Sequence, residues 1–259
     1  MSTRPRTFRC EGVVLRHYDL GEADRLLTFL TPDRGLVRAA ARGARKTSSK
    51  IGGHLDLLKH VSLSLAEGKT LYSVSQAEAI EGFRKLRTDL ARLSSGLYLA
   101  ELAERFSVED APGRPVFDLL LSTLGRLEVT PTVELLTRWY EVRMLHLSGF
   151  MPELARCSEC GDDLAQDDHI FSAERGGLMC PRCRSGAHGP VVPANVSTVK
   201  LLRHLARSDW PAVEGLRVTE ETMRQAERIL REHMRYVLDH RIMSVAFMDE
   251  VRKQRAGPR

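Results

Sequence analysis

Four cysteines arranged as two CxxC pairs constrain the fold of this chain more than any other feature. The pairs are Cys157 with Cys160 and Cys180 with Cys183, and the interval between them, residues 161–179, fits the spacing of tetracysteine zinc sites. Zinc takes four ligands in a tetrahedron, and each CxxC turn presents two thiolates from one tight bend. The sequence therefore predicts one structural Zn²⁺ ion held by these four cysteines.

The same cysteines allow two other interpretations, a pair of disulfides or a redox-active CxxC. The remaining cysteine, Cys10, does not suit a disulfide framework, and residues 1–9 carry arginines and no apolar segment of a secretory signal. His169 or His188 could replace one cysteine as a ligand. Four thiolates fill a tetrahedral ion and leave no position for a reacting water, so we expect the site to stabilise structure. The interval is short and polar, so metal binding is expected to supply much of its folding free energy.

Length and charge set the broad class. A chain of 259 residues is long enough for two or three modules, and its net charge of +5 permits a polyanionic partner. The excess of arginine over lysine suits phosphate contacts, although an arginine-rich genome would produce the same bias. No run of about 18 apolar residues is present, so no membrane span is predicted. We expect a soluble, cytoplasmic protein.

Residues 8–79 show the short alternating pattern of β-strands. Turn chemistry at 32–35 and at 67–69 separates neighbouring segments. Five short strands in about 70 residues predict a small barrel of the OB type, with an SH3-like barrel as the alternative. The predicted strands cover 10–16, 25–30, 36–41, 60–65 and 70–75.

A basic segment without acidic residues, 38–53, lies between the third and fourth predicted strands. Its positive charge and small residues suit a phosphate backbone, whereas an ordinary solvated loop is the alternative. A Walker A loop is excluded because Lys46 follows Arg45 instead of glycine. Tyr18, Phe29 and Tyr72 could stack on bases, although aromatic residues at strand positions more often pack in the core. The predicted DNA-binding residues are Arg34, Arg38, Arg42, Arg45, Lys46 and Lys50.

The rest of the chain is predicted to be mainly helical. Apolar residues recur at helical spacing over 86–150, with a break at 111–115 and a new helix beginning at Thr130-Pro131. After the cysteines, helices are predicted over 197–207 and from Thr219 onward. The predicted domains are a barrel over 1–80, a helical domain over 81–152 and 190–248, a zinc-finger insert over 153–189, and a disordered basic tail over 249–259.

Two helix faces carry clustered basic residues. Lys200, Arg203 and Arg207 share one face and form a second candidate basic surface, which Arg182 and Arg184 of the cysteine segment could extend. On the last helix, arginines share another face, but their spacing from glutamates predicts intrahelical pairs on a solvated face. Those pairs are Glu220–Arg224, Glu227–Arg231 and Arg228–Glu232.

Several motifs together resemble the RecO family of bacterial DNA-repair proteins. The resemblance spans nearly the whole chain and is most distinctive in its N-terminal part, with one departure at Leu57-Leu58, where members often show Pro-Phe. It implies an α+β multidomain fold: an N-terminal five-stranded OB-type barrel, then an α-helical domain with an embedded zinc finger. The matching segments are 12–16, 21–28, 34–38, 41–46, 71–78, 147–152, the two cysteine pairs and His240-Arg241.

The resemblance also implies a non-enzymatic role in DNA repair and homologous recombination. Family members bind single- and double-stranded DNA, anneal complementary strands and, with RecR, load RecA onto strands coated by SSB, so a nucleoid-associated location is expected. The residues alone indicate a basic barrel loop, a structural zinc site and a helical scaffold. Two other classes stay open: a scaffold whose main ligands are RecR and SSB, and a zinc-dependent hydrolase or nuclease. The absence of an HExxH motif or a nucleophile elbow argues against the latter.

Overall fold

A computed structural model describes residues 6–187, 189–239 and 242–256. The chain divides into two compact units. The first comprises the N-terminal part up to Val129 together with the segment from Met243, and the second runs from Thr130 to Ile242.

The first unit contains a closed five-stranded barrel with the strand order β1-β2-β3-β5-β4. β1 pairs antiparallel with both β2 and β4, and β3 pairs with β5 in parallel. This Greek-key closure is that of an OB barrel, as predicted. The strands are β1 (Thr7–Leu20), β2 (Asp24–Thr31), β3 (Gly35–Ala41), β4 (His60–Ala66) and β5 (Tyr72–Glu81).

The first strand is long because it serves two neighbours. Its first half pairs with β4 and its second half with β2, with a register shift between Val14 and Arg16. Such a bulge bends a strand, which helps a small sheet to close. Gly12 lies at this change of partner, where an added Cβ would come within 3.2 Å of the Leu30 carbonyl oxygen. A side chain at position 12 would therefore crowd β2.

Alternate residues of the strands point inward and fill the barrel. Phe29 is fully buried among them, as expected for an aromatic residue at a strand position, so its ring is not available to stack on bases. Tyr18 is exposed, and its hydroxyl accepts a hydrogen bond from Arg16 at 2.8 Å. The inward-facing residues include Val14, Leu27, Val37, Ala39, Val61, Leu63, Leu65 and Val74.

The helices are α1 (Arg84–Thr88), α2 (Leu90–Arg105), α3 (Arg114–Val129), α4 (Val133–Leu147), α5 (Val196–Arg207), α6 (Trp210–Val213), α7 (Glu220–Leu238) and α8 (Met243–Ala256). The first three and α8 belong to the first unit, and the other four belong to the second. This division differs from the predicted boundary at 80/81, because α2 and α3 pack against the barrel.

The loop between α2 and α3 is fixed to the barrel through its backbone. The amide of Leu36 donates to the carbonyl of Val108 at 3.1 Å, and that of Gly113 donates to Pro32 at 3.0 Å. Gly35 has φ +57°, and an added Cβ would lie 2.5 Å from the carbonyl oxygens of Val108 and Ala111. Only glycine fits there.

The C-terminal segment is helical where a tail was expected. Residues 249–256 continue α8, so the prediction of disorder is wrong for them, while 257–259 lie outside the described residues. The helix packs on α2 and buries Met248 and Val251. Met248 and Val251 form a narrow apolar stripe among basic and polar residues. The composition of the segment therefore resembles that of a disordered tail, which is why disorder was predicted.

The second unit combines α4 to α7 with a small antiparallel sheet in the order β7-β6-β8. Its strands are β6 (His169–Ser172), β7 (Gly177–Met179) and β8 (Val191–Ala194). α4 packs against α5 and α7, and β8 packs against α7. Across the described residues of both units, no helix has the length and apolar composition needed to cross a bilayer.

Candidate metal centre and nucleic-acid interface

The small sheet positions the two cysteine pairs. β7 leads directly into Cys180, and the amide of Ser158 donates to the Leu178 carbonyl of the same strand at 2.8 Å. Each pair closes its own turn, with Gly161 N donating to Cys157 O at 2.9 Å and Cys183 N donating to Cys180 O at 3.0 Å. Local backbone hydrogen bonds therefore bring the four thiols together.

The cluster has the dimensions of a tetrahedral metal site. The four sulfur atoms lie within 4.8 Å of one another, and Cys160 Sγ is 3.9 Å from Cys180 Sγ. Zinc–sulfur bonds of about 2.3 Å give a tetrahedron with sulfur–sulfur edges of about 3.8 Å. A disulfide bond is about 2.05 Å long, and these cysteines are free thiols. The donor set and spacing thus fit a metal ion.

The backbone polarises the thiols unequally. Burial opposes ionisation of Cys157, but the amides of Cys160, Cys180 and Glu159 donate to its sulfur, and its pKa falls to about 6. The Cys180 amide lies 3.3 Å from that sulfur. Hydrogen bonding to Cys180, together with burial, raises the pKa of Cys183 to about 12. Cys157 is therefore the thiol most readily ionised, whereas ionisation of Cys183 is disfavoured by its own surroundings.

The neighbouring histidine and arginines have other partners. His169 is buried and donates from Nε2 to the Ala165 carbonyl at 3.0 Å, apart from the sulfur cluster, while His188 lies outside the described residues. Arg182 pairs with Asp162 at 2.5 Å. Arg184 is exposed.

The basic loop after β3 presents unpaired cations. Arg42, Lys46 and Lys50 are exposed, and none has a side-chain partner within the described part of the chain. The loop itself is held in place, since Asp24 accepts a hydrogen bond from the Gly43 amide at 2.8 Å. These three charges are therefore displayed on an ordered support and are available to an anion.

Two other predicted DNA-binding residues are already paired. Arg38 lies 2.8 Å from a carboxylate oxygen of Glu109, in a pair that is about half exposed on both sides. Arg45 lies 3.3 Å from Asp19 and also donates to the Gly21 carbonyl at 2.9 Å. A phosphate would have to displace a carboxylate to reach either arginine.

The sixth predicted residue, Arg34, stacks on an aromatic ring. Its guanidinium lies 4.2 Å from the centre of the Phe8 ring, and its Nη1 donates to the Tyr72 hydroxyl at 3.2 Å. The Phe8 and Tyr72 rings meet edge to face at 5.4 Å. Phe8 was not predicted to belong to this site because it precedes the predicted first strand, 10–16. The only hint in the sequence was that an apolar residue lies just outside that strand.

The second candidate basic surface is smaller than predicted. Lys200 and Arg207 are exposed, but Arg203 donates from Nε to the Leu154 carbonyl at 2.7 Å and anchors the chain entering the cysteine segment. Arg217, which was not predicted, joins Lys200 at a groove of about 320 Å³. The apolar lining of that groove includes Leu201, Leu216 and Val218.

The charged face of α7 is mostly self-compensated, as predicted for a solvated face. Arg224 pairs with Glu220 at 2.7 Å, and Arg231 pairs with Glu227 at 2.7 Å. The expected Arg228–Glu232 pair is replaced by Arg235–Glu232 at 2.5 Å. Spacings of three and four residues both bring side chains together on a helix, so the sequence alone does not choose between these partners.

Together these features define an OB-fold protein that carries a helical region and a tetracysteine module. Comparison with known proteins gives the family. The family model described as recombination protein O, N terminal, matches residues 1–83, and that described as recombination protein O, C terminal, matches residues 87–246. The chain belongs to the RecO family of DNA repair proteins.

Similarity to individual family members extends over nearly full length. The chain is 38% identical over 250 residues to a DNA repair protein RecO from Roseiflexus sp. strain RS-1, covering 96% of this chain and 88% of that protein. It is 36% identical over 249 residues to one from Dehalococcoides mccartyi strain 195, covering 96% and 98%. A third, from Heliobacterium modesticaldum, is 38% identical over 236 residues, covering 89% and 85%.

Proposed function

We propose that this protein is a non-enzymatic recombination mediator. It binds single- and double-stranded DNA, anneals complementary strands and, with RecR, helps to load RecA onto SSB-coated single strands. The observation that carries the DNA-binding part is the row of unpaired cations on the barrel loop, Arg42, Lys46 and Lys50. Since its substrate is chromosomal DNA, the protein acts in the cytoplasm at the nucleoid.

Charge neutralisation gives the annealing mechanism. The loop cations bind phosphates of either strand, so binding is largely independent of sequence and weakens as salt rises. Two strands held on one cationic surface repel each other less, and base pairing then selects the complement. Arg38 and Arg45 join the surface when phosphate replaces Glu109 and Asp19.

The four cysteines hold one structural Zn²⁺ ion in this proposal. When bound, the ion keeps the cysteine segment folded, and its filled coordination shell supplies no position for a reacting water. Cys157 and Cys180, which are buried, would form the inner side of the site, and Cys160, which is exposed, the outer side. The ion therefore has a structural role without a part in DNA chemistry.

The test is annealing of complementary oligonucleotides over a salt series. The R38Q/R42Q/K46Q variant is compared with R224Q/R228Q/R235Q on α7, which removes the same charge from another surface. The barrel variant should lose annealing, and the slope of log affinity against log salt on single strands should fall by about two, since about 0.7 is expected per phosphate contact. Equal effects in the two variants would place DNA elsewhere, and a wild-type protein that does not bind DNA would refute the proposed function.

A scaffold whose main ligands are RecR and SSB is the second candidate. The groove on the second unit favours it, because Lys200 and Arg217 stand beside an apolar floor that suits a short acidic peptide. Under this alternative, the barrel variant would keep its recombination activity. K200Q/R217Q would lose that activity together with the binding of an SSB tail peptide. RecR binding that survives the barrel substitutions while annealing is lost would favour the mediator.

A further inference from the structure

The loop between α2 and α3 places two carboxylates on the proposed DNA surface. Backbone hydrogen bonds from Leu36 and Gly113 hold this loop against the β2–β3 turn, and Glu109 forms isolated bridges with Gly35 and Leu36. Because the backbone makes these contacts, the loop keeps its position without help from its acidic side chains. The side chains of Glu109 and Asp110 are exposed.

Each carboxylate engages a group that would otherwise meet DNA. Glu109 lies 2.8 Å from Arg38. Asp110 accepts a hydrogen bond at 3.3 Å from the Tyr72 hydroxyl, which in turn accepts one from Arg34 at 3.2 Å. The two acidic residues thus occupy Arg38 and the Arg34–Tyr72 pair, whereas the loop cations Arg42, Lys46 and Lys50 stay unpaired.

We propose that Glu109 and Asp110 are affinity-setting residues of the DNA surface, which compete with phosphate for Arg38 and for the Arg34–Tyr72 pair. The inference rests on the proposed function and concerns the regulation of the same site. A half-exposed ion pair is weak, so a phosphate displaces it at a modest penalty. The bound strand is held less tightly than the count of arginines suggests, and an annealed product leaves more readily.

The main test is the single substitution E109Q, with E78Q as its matched control. Glu78 is an exposed carboxylate on β5 with no partner within the described chain, and E78Q changes the net charge equally. Binding to a labelled dT oligonucleotide is followed by fluorescence anisotropy over a salt series. E109Q should tighten binding about two- to fivefold at low salt, the range expected for releasing an exposed pair. Its salt slope should steepen by about 0.7, equivalent to one added phosphate contact.

A double-mutant cycle separates competition from general charge. In an R38Q background, E109Q should no longer exceed E78Q, because the arginine for which it competes is absent. D110N removes the negative charge beside the Arg34–Tyr72 pair, and asparagine suits the positive φ of +54° at this residue, so the variant should tighten binding without loss of folding.

The outcomes distinguish this inference from the proposed function. If E109Q matches E78Q or weakens binding while R38Q/R42Q/K46Q still abolishes it, the competition is refuted and the barrel remains the DNA surface. If neither E109Q nor R38Q/R42Q/K46Q changes binding, the proposed DNA surface itself is wrong. A thermal melt of E109Q that matches the wild type confirms that the comparison is made between folded proteins.

Discussion

The buried pair of Arg138 and Glu141 is the most demanding electrostatic feature at the residue scale. Both side chains are almost completely buried on α4, with Arg138 Nε 2.8 Å from Glu141 Oε2. Arg138 also lies 3.8 Å from Glu227 on α7, which in turn pairs with Arg231. Taking charges out of water is costly, and each ion offsets the penalty of the other. Glu141 therefore offsets the charge of Arg138 within α4, and the contact of Arg138 with Glu227 links α4 to α7.

Removing one member should destabilise the second unit strongly. R138M leaves Glu141 buried without this guanidinium and should cost about 3–5 kcal/mol in the free energy of unfolding. The double variant R138M/E141L removes both charges and should recover much of that loss. Denaturant unfolding measures both, and R224M, on an exposed pair, serves as the control. Equal losses for R138M and R224M would contradict the role assigned to burial.

His233 on α7 is a second buried titratable residue that the sequence did not reveal. Its Nε2 donates to the Phe150 carbonyl at 2.7 Å, and its ring meets that of Phe171 edge to face at 5.6 Å. Burial lowers the pKa of His233 below its ordinary value of 6.5, although the hydrogen bond to Phe150 opposes this shift. The folded protein consequently favours the neutral ring.

This shift makes the stability of the second unit depend on pH. Because the folded pKa is depressed, the unfolded chain binds the proton more readily, and stability falls as the pH drops from 6.5 toward the folded pKa. H233Q cannot titrate, so its unfolding free energy should fall less than that of the wild type between pH 7.5 and 5.5. Urea unfolding at a series of pH values gives both curves, and parallel curves would exclude His233 as the titrating group.

At the scale of elements, the positions of strands and helices could be predicted from local sequence patterns, whereas contacts between distant segments could not. Alternation placed all five barrel strands, and Thr219 caps α7 by accepting from the Thr222 amide at 3.3 Å, as predicted. The start of α4 was placed two residues too early. Thr130 accepts from the Thr132 amide in the preceding turn, and the helix begins at Val133. Several oxygen-bearing residues in a row compete for the capping position, and spacing alone does not decide between them.

The two candidate sites differ in the same respect: one could be predicted from local sequence and the other could not. The cysteine cluster was predictable, because both members of each pair lie in one turn and the four-ligand rule links the pairs. The Arg38–Glu109 pair was not, since the two residues are far apart in sequence and meet only when a loop docks on the barrel. The sequence thus identified the cations, whereas their neutralisation is a property of the tertiary structure.

Metal removal should unfold the cysteine segment selectively. The segment has a small core, and in such modules metal binding supplies folding free energy. C157S/C180S should lose a stoichiometric zinc signal, and amides of β6 and β7 should exchange faster with solvent while those of the barrel stay protected. Mass spectrometry of the metal content and hydrogen exchange measures both effects. C10S, which changes the cysteine outside the cluster, should retain the metal.

At the scale of the whole molecule, the first unit is discontinuous in sequence. Its last helix, α8, returns after the entire second unit and packs on α2. Glu101 on α2 accepts hydrogen bonds from the backbone amide and hydroxyl of Ser244, at 2.6 and 2.5 Å. A buried carboxylate therefore satisfies the first turn of a helix that composition alone suggested was disordered.

Loss of this carboxylate should loosen α8 from the first unit. E101A leaves the start of α8 without its acceptor and should cost about 1–3 kcal/mol. Faster hydrogen exchange in α8 and its easier removal by a protease are the expected signs. E250Q, an exposed substitution on α8 itself, should leave both unchanged. Protection of α8 that is unaltered in E101A would show that apolar packing suffices to hold it.

The discontinuity of the first unit also bears on how the protein is made. The barrel and α2 leave the ribosome early, but their partner α8 follows only after residues 130–242 have been translated. At ordinary elongation rates this delay is on the order of ten seconds. During that interval the face of α2 that receives α8 stays uncovered on the nascent chain, so the emerging protein exposes a surface that the finished protein covers.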